Sequence, residues 1–173
     1  MIAAIDTSVL TFLFYESAAA PIDASTGLVV TAPKARLEYL LLCLEQEKAK
    51  LIIPTPALAE ILVKAGASGP EWLAILKKSS VFKIATFDIL AAVEYAATQQ
   101  SRRDASIVKP MSARPKAKFD DQIVAIAAVQ QATVIYSDDP DIRKIVAGRF
   151  DVYGIADLRL PPQSDQYGMA LES

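Results

Sequence analysis

The chain of 173 residues contains no histidine and only one cysteine, Cys43. The lack of histidine excludes catalytic triads that use a histidine base and zinc sites built on imidazole ligands. A single cysteine excludes an internal disulfide and a cysteine-cluster metal site, and it favours a reducing compartment. Carboxylates therefore remain as the credible metal ligands or general bases of an active site.

Long apolar runs and phosphate-binding loops are also missing. No uncharged apolar run reaches the ~18 residues that a membrane span needs. The first residues, MIAAIDTSVLTFLFYE, lack a basic start and carry Asp6 inside the apolar stretch, which is atypical of a signal peptide. No GxxxxGK motif occurs, so an NTPase is disfavoured. We expect a cytoplasmic protein that does not enter a membrane.

The net charge of −2 is distributed unevenly along the chain. Residues 102–118 hold six basic residues and one acid, a charge of +5, and the remaining 12 basic and 19 acidic residues give −7. Pro110 and Pro115 lie in this basic segment and predict an irregular conformation. The segment is either a contact for a polyanion such as RNA or a solvated loop.

Short apolar runs alternate with stretches of helical periodicity, a pattern that indicates an α/β domain. We predict a single domain over residues 1–160, with a mainly parallel central sheet between two layers of helices, and a loose polar tail over residues 161–173. The expected strands are residues 2–5, 51–54, 81–85, 133–137 and 149–155.

Four acidic residues occupy related places in this pattern. Asp6 follows the first strand, Glu60 lies on the helix after the second strand, and Asp139 follows a later strand. Asp121 is expected in the first turn of the helix that precedes that later strand. A helix of about 12 residues and a strand of about five cover similar lengths, ~18 and ~16 Å, so the chain returns to the edge that it left. Because ligands bind at the carboxyl ends of parallel strands, the four acids are predicted to meet there.

Clustered carboxylates raise one another's pKa unless a cation neutralises them. An oxygen-only site suits Mg²⁺ or Mn²⁺, which can activate water and stabilise the charge of a phosphodiester under attack. The Ser137 hydroxyl, beside Asp139, is a candidate to orient a carboxylate or the water, and Thr7 or Ser8 is a candidate for the same task beside Asp6.

Simpler explanations exist for each acid. Asp6 and Asp141 are each suited to cap a helix, and Asp120 and Asp121 are typical of a helix start. Asp120 and Asp138 are expected to lie behind the site or in solvent. A carboxylate phosphotransfer domain is a further possibility, but the two residues after Asp6 do not complete a DxD nucleophile loop.

Four stretches taken in order resemble the motifs of PIN-domain ribonucleases, a family that includes the VapC-type toxins of toxin–antitoxin pairs. They are IDTSVL (5–10), PTPALAEIL (54–62), DQIVAIAA (121–128) and YSDDPDI (136–142), and the resemblance extends over about residues 2–155. Residues 15–36 and 102–118 are longer than the corresponding connections of a compact toxin.

The resemblance implies that Asp6, Glu60, Asp121 and Asp139 bind the metal and that Ser137 supplies a supporting hydroxyl. Ser137 and Asp139 follow Asp121 by sixteen and eighteen positions, the interval common in these toxins. It further implies a Mg²⁺- or Mn²⁺-dependent endoribonuclease that leaves 5′-phosphate ends, with RNA as substrate and with a cognate antitoxin and a second copy of the chain as possible partners. The alternative is a non-catalytic PIN-like module that binds RNA or protein.

Overall fold

Five short strands form one parallel sheet in the order β3-β2-β1-β4-β5. The computed structural model of the protein describes residues 1–15, 17–23, 25–104, 114–146 and 148–162, without the side chains of residues 114–116. The predicted parallel α/β architecture is confirmed, whereas most of the predicted tail lies outside the described residues. The strands are β1 (Ile2–Ile5), β2 (Lys50–Pro54), β3 (Phe82–Ala85), β4 (Val134–Tyr136) and β5 (Asp151–Tyr153).

Both faces of the sheet are buried, which explains why its central strands read as continuous apolar runs. Successive strand residues point to opposite faces. Ala3 and Ile5 pack into one core, whereas Ala4 packs into the other. Strands β2 and β4 divide their residues between the two cores in the same way. The result is the three-layer arrangement of helix, sheet and helix that the sequence predicts.

Seven helices among the described residues cover this sheet, together with short 3-10 turns at Thr11–Leu13, Gly66–Ser68 and Ile155–Asp157. Gly66 ends the third helix with a φ of +53°, a backbone conformation that favours glycine. None of the described helices is both long enough and apolar enough to cross a membrane. The helices are α1 (Thr7–Leu10), α2 (Pro33–Gln46), α3 (Thr55–Ala65), α4 (Gly69–Lys78), α5 (Ile89–Asp104), α6 (Arg114–Val129) and α7 (Pro140–Val146).

Two expectations about the basic segment are wrong for its described part. Helix α5 continues to Asp104 and α6 begins at Arg114, so the segment is helical at both ends, and residues 105–113 lie outside the described residues. Pro115 does not prevent this, because a proline in the first helical turn has no intrahelical hydrogen bond to lose. Asp121 therefore lies two turns into α6 and not in its first turn.

The packing of α2 on the sheet gives a first prediction. Leu37 is fully buried, whereas Leu42 on the same helix is 48% exposed. We expect Leu37→Ala to lower the free energy of unfolding by about 2–5 kcal/mol, because it leaves a cavity in the core. Leu42→Ala should change it by less than about 0.5 kcal/mol. Urea denaturation of both variants measures the difference, and equal losses would contradict the described packing.

Candidate active site

The central pair of strands, β1 and β4, marks the place where the chain reverses direction across the sheet. From β1 the chain proceeds outward to β2 and β3, and it then returns to β4 and β5 on the other side of β1. Connections that leave neighbouring strands in opposite directions open a crevice at the carboxyl edge of a parallel sheet. Ile5 pairs with Tyr136, so the next residues along the chain, Asp6 and Ser137, lie side by side at this crevice.

Asp6 is the centre of a hydrogen-bonded group at the crevice, although its side chain is buried. Its Oδ2 atom accepts hydrogen bonds from the Ser8 hydroxyl at 2.7 Å, the Ser137 hydroxyl at 3.0 Å and the Ser8 backbone N–H at 3.3 Å. The carboxylate thus caps α1 and also ties β1 to the end of β4. Hydrogen bonds from hydroxyl and N–H groups stabilise the charged form of a buried carboxylate.

Ser137 connects Asp6 to the loop after β4. The Ser137 side chain is fully buried, and its hydroxyl oxygen accepts a hydrogen bond from the Asp139 backbone N–H at 3.0 Å. The Asp139 carboxylate in turn accepts a hydrogen bond from the Asp141 backbone N–H at 2.8 Å, in the first turn of α7. Asp139 and not Asp141 therefore caps this helix, which corrects the expectation from the sequence. A half-buried cap at Asp139 has a fixed orientation beside the crevice.

Asp138 lies in the same loop and is hydrogen-bonded to α1 and to the segment after β5. Its backbone N–H donates to the Ser8 hydroxyl oxygen at 3.0 Å, and its Oδ1 atom accepts from the Ile155 N–H at 2.9 Å. The Oδ2 atom is buried, and no group in the described part of the chain donates a hydrogen bond to it. Asp138 is thus a partly buried structural neighbour of the crevice and not a solvated side chain.

The electrostatic environment of Asp138 reflects this burial. Burial raises the pKa of its carboxyl group above the ordinary value, and the negative charges of Asp157 and Asp6 act in the same direction. The Ile155 N–H and the Arg143 guanidinium oppose the increase. A carboxyl with a raised pKa at a crevice is a recurring feature of functional sites, although buried structural carboxyls show it too.

Asp121 is engaged by two side chains of α5. The Arg102 Nη1 atom lies 2.5 Å from Asp121 Oδ1, and Gln99 Nε2 donates to Asp121 Oδ2 at 2.7 Å. Gln99 and Arg102 are three residues apart, so they share one face of α5. The Arg102 and Asp121 side chains are only 15% and 5% exposed, which makes this a largely buried ion pair. The negative charge of Asp121 is therefore neutralised from within the chain.

Glu60 is placed differently from the other three predicted acids. It lies on α3 with an exposed side chain, and no hydrogen bond or ion pair among the described residues joins it to Asp6, Asp121 or Asp139. Within the described ranges, no three acidic or cysteine side chains are close enough together to hold one metal ion. As they stand, the described carboxylates do not fit a metal centre with several protein ligands, and the metal-binding roles of these acids stay predictions.

The sequence did not reveal that Arg102 and Gln99 contact Asp121 or that Asp120 is buried. Their spacing places Arg102 and Gln99 on one face of α5. The sequence does not show that this face packs against α6 and so contacts Asp121. Asp120 is buried because α6 begins well before it and carries it into the interior.

Comparisons with known proteins identify the fold. No family model matches the chain, and no curated protein does either. Several solved structures do match. VapBC2 from Rickettsia felis, bound to a DNA fragment from their promoter, matches with a TM-score of 0.57 and 13% identity, and the match covers 89% of this chain and 98% of that chain. FitAcB from Neisseria gonorrhoeae has a TM-score of 0.58 and 18% identity over 91% and 100%. VapBC-1 from nontypeable Haemophilus influenzae has a TM-score of 0.56 and 14% identity over 90% and 98%. At these identities the similarity shows a shared fold.

The buried ion pair gives a second prediction. Arg102→Met leaves the Asp121 carboxylate buried without its cation, so we expect a loss of about 3–5 kcal/mol in the free energy of unfolding. Arg103→Met, at the exposed neighbouring position, serves as the matched control and should cost less than about 0.5 kcal/mol. The double variant Arg102→Met/Asp121→Asn should recover part of the loss. Chemical denaturation tests all three, and equal stability of the two single variants would refute the pairing.

The close approach of Gly154 to Asp138 gives a third prediction. A Cβ atom at Gly154 would lie 2.3 Å from Asp138 Oδ1, whereas one at Gly69 would meet only ordinary contacts, the nearest at 3.7 Å. We expect Gly154→Ala to lower the free energy of unfolding by about 1–3 kcal/mol through overpacking. Gly69→Ala should be neutral or stabilising. Thermal and urea denaturation check both, and a neutral Gly154→Ala would contradict this geometry.

Proposed function

We propose that this protein is a PIN-type endoribonuclease that hydrolyses RNA phosphodiester bonds and acts as the toxin of a toxin–antitoxin pair. The observation that carries the proposal is the buried Asp6 carboxylate at the junction of β1 and β4, hydrogen-bonded to Ser137. The fold shared with VapBC structures supports it. Ligands of open parallel sheets bind at such a junction, so this is where a phosphodiester would be placed.

The proposed reaction is hydrolysis of one phosphodiester bond. A water oxygen attacks phosphorus, the bond from phosphorus to the leaving 3′-oxygen breaks, one proton of the water passes to a base, and the 3′-oxygen takes up a proton from solvent. The products are a 5′-phosphate and a 3′-hydroxyl end. Since the chain has no histidine, a carboxylate at the crevice is the general base that the site offers. The Ser8 and Ser137 hydroxyls hold Asp6 in place for this role.

Dependence on Mg²⁺ or Mn²⁺ is part of the proposal. These ions prefer oxygen ligands and would supply charge stabilisation at the phosphate. Asp121 is neutralised by Arg102 in the described arrangement, so an ion that uses Asp121 must compete with that guanidinium. Arg102 is therefore the side chain that such an ion would have to displace from Asp121.

The proposed partners follow from the same comparison. Since the similar solved structures are VapBC complexes, an antitoxin that covers the carboxyl edge of the sheet is a natural partner for this chain. A homodimer is also proposed. Co-expression with a small protein encoded next to the chain, followed by mass measurement of the purified complex, tests both.

A second candidate function is a PIN-like module that binds RNA or protein without cleaving RNA. The Arg102–Asp121 pair favours it, because an internal cation occupies a carboxylate that a metal-dependent nuclease would use. Retained RNA binding with no cleavage at any divalent-ion concentration would select this function over the nuclease.

Catalysis gives a fourth prediction. Asp6→Asn and Asp121→Asn should each abolish metal-dependent cleavage of single-stranded RNA, because each removes a negative charge from the proposed centre. Asp151→Asn serves as the matched control, since Asp151 is exposed and begins β5 at the opposite edge of the sheet. It should retain full activity. Cleavage is followed on end-labelled RNA, and a parallel reaction contains EDTA to remove divalent ions. Undiminished activity in both Asp6→Asn and Asp121→Asn would refute the assignment of these residues.

Competition between Arg102 and a cation gives a fifth prediction. Arg102→Met should bind Mn²⁺ about tenfold more tightly than the natural chain, since it removes a positive charge next to Asp121. Arg103→Met should leave the affinity within about twofold of the natural chain. Electron paramagnetic resonance of free Mn²⁺ measures both affinities. Equal Mn²⁺ affinities in the two variants would show that Arg102 does not compete with the cation.

A further inference from the structure

A groove of about 400 Å³ lies next to the candidate active site and is lined by residues of α1, of the segment after it and of α3. Its volume lies at the small end of the ~300–1,000 Å³ range typical of ligand clefts. Ser8 is one of its lining residues, and the Ser8 hydroxyl donates to Asp6 Oδ2 at 2.7 Å. Thr11, Tyr15, Ser17 and Lys64 of α3 also line it. The groove and the acidic crevice therefore share Ser8.

Lys64 gives the groove its charge. It is the only charged residue among the described residues that line the groove, and its side chain is exposed. Within the described part of the chain, Lys64 makes no ion pair with an acidic residue. An RNA strand must overcome repulsion from Asp6, Asp138 and Asp139 to reach the crevice, and a cation in the adjoining groove offsets part of that repulsion.

Tyr15 is fixed in the wall of the groove. Its hydroxyl donates a hydrogen bond to the Lys64 backbone carbonyl, which ties the turn after α1 to the end of α3. Its ring packs edge-on against Trp72, with centroids 5.1 Å apart, and Trp72 in turn stacks on Phe14 at 4.5 Å. Because the Tyr15 ring is already held in place, a base of single-stranded RNA can contact it with little further loss of side-chain entropy.

We propose that this groove binds the nucleotide next to the scissile phosphate of single-stranded RNA, with Lys64 contacting a backbone phosphate. This inference rests on the proposed function for the position of the scissile phosphate. The Thr11 and Ser17 hydroxyls are donors of the kind that contact phosphate and sugar oxygens. The volume of about 400 Å³ is of the order of a single nucleotide unit.

The test measures the binding of a short fluorescent single-stranded RNA by anisotropy. All proteins carry Asp6→Asn, so that cleavage does not interfere. Lys64→Gln is compared with Lys48→Gln, which makes the same charge change at an exposed lysine before β2, on the opposite edge of the sheet. Lys64→Arg retains the charge at the groove.

We expect Lys64→Gln to weaken RNA binding about fivefold at low salt and to reduce the slope of log affinity against log salt by about 0.7, the loss of one phosphate contact. Lys48→Gln and Lys64→Arg should each remain within about twofold of the parent. Equal affinities for Lys64→Gln and Lys48→Gln would overturn the proposal, and this is also the result expected if the groove receives a peptide instead.

RNA binding is measured in the Asp6→Asn background and RNA cleavage is measured with the natural Asp6, so the two proposals can fail separately. A chain that binds RNA through Lys64 but never cleaves it would overturn the proposed nuclease function and leave the groove intact. A chain that cleaves RNA while Lys64→Gln binds RNA as well as Lys48→Gln does would overturn the groove and leave the nuclease function intact.

Discussion

The parallel pairing of β1 with β4 is the constraint on which the candidate site depends. These two strands lie at the centre of the sheet, and their register sets Ile5 beside Tyr136. The residues that follow have no freedom to separate, so Asp6 meets Ser137 and the two are joined by a hydrogen bond of 3.0 Å. Every other group at the crevice is arranged around this contact, because Ser8 and the loop after β4 both attach to it.

A buried carboxylate is stable only where hydrogen bonds or a cation replace its lost hydration. The structure uses different solutions for two of its three buried acids, Asp6 and Asp121. Asp6 is satisfied by neutral hydroxyl and N–H donors. Asp121 is satisfied by a guanidinium and an amide. Only the second solution brings a positive charge to the carboxylate.

The part of the site that depends on strand order was predictable from the sequence. Short apolar runs followed by Asp6 and by Asp139 predict two strand ends at one sheet edge, since all parallel strands end on the same side. The part that depends on helix packing was not predictable. Residues 114–118 continue a helix because a proline in the first turn is tolerated, and this shifts Asp121 along α6. The partner of Asp121 then follows from the face of α5 that meets α6, which no local pattern specifies.

The hydrogen bond between Asp6 and Ser137 joins residues that are 131 positions apart, and the one between Asp138 and Ile155 brings in a still later segment. Contacts between distant residues form late in folding, because a long loop must close before they contribute. During synthesis β1 leaves the ribosome long before β4, the strand with which it pairs. The crevice therefore cannot assemble on a growing chain until nearly the whole domain has left the ribosome.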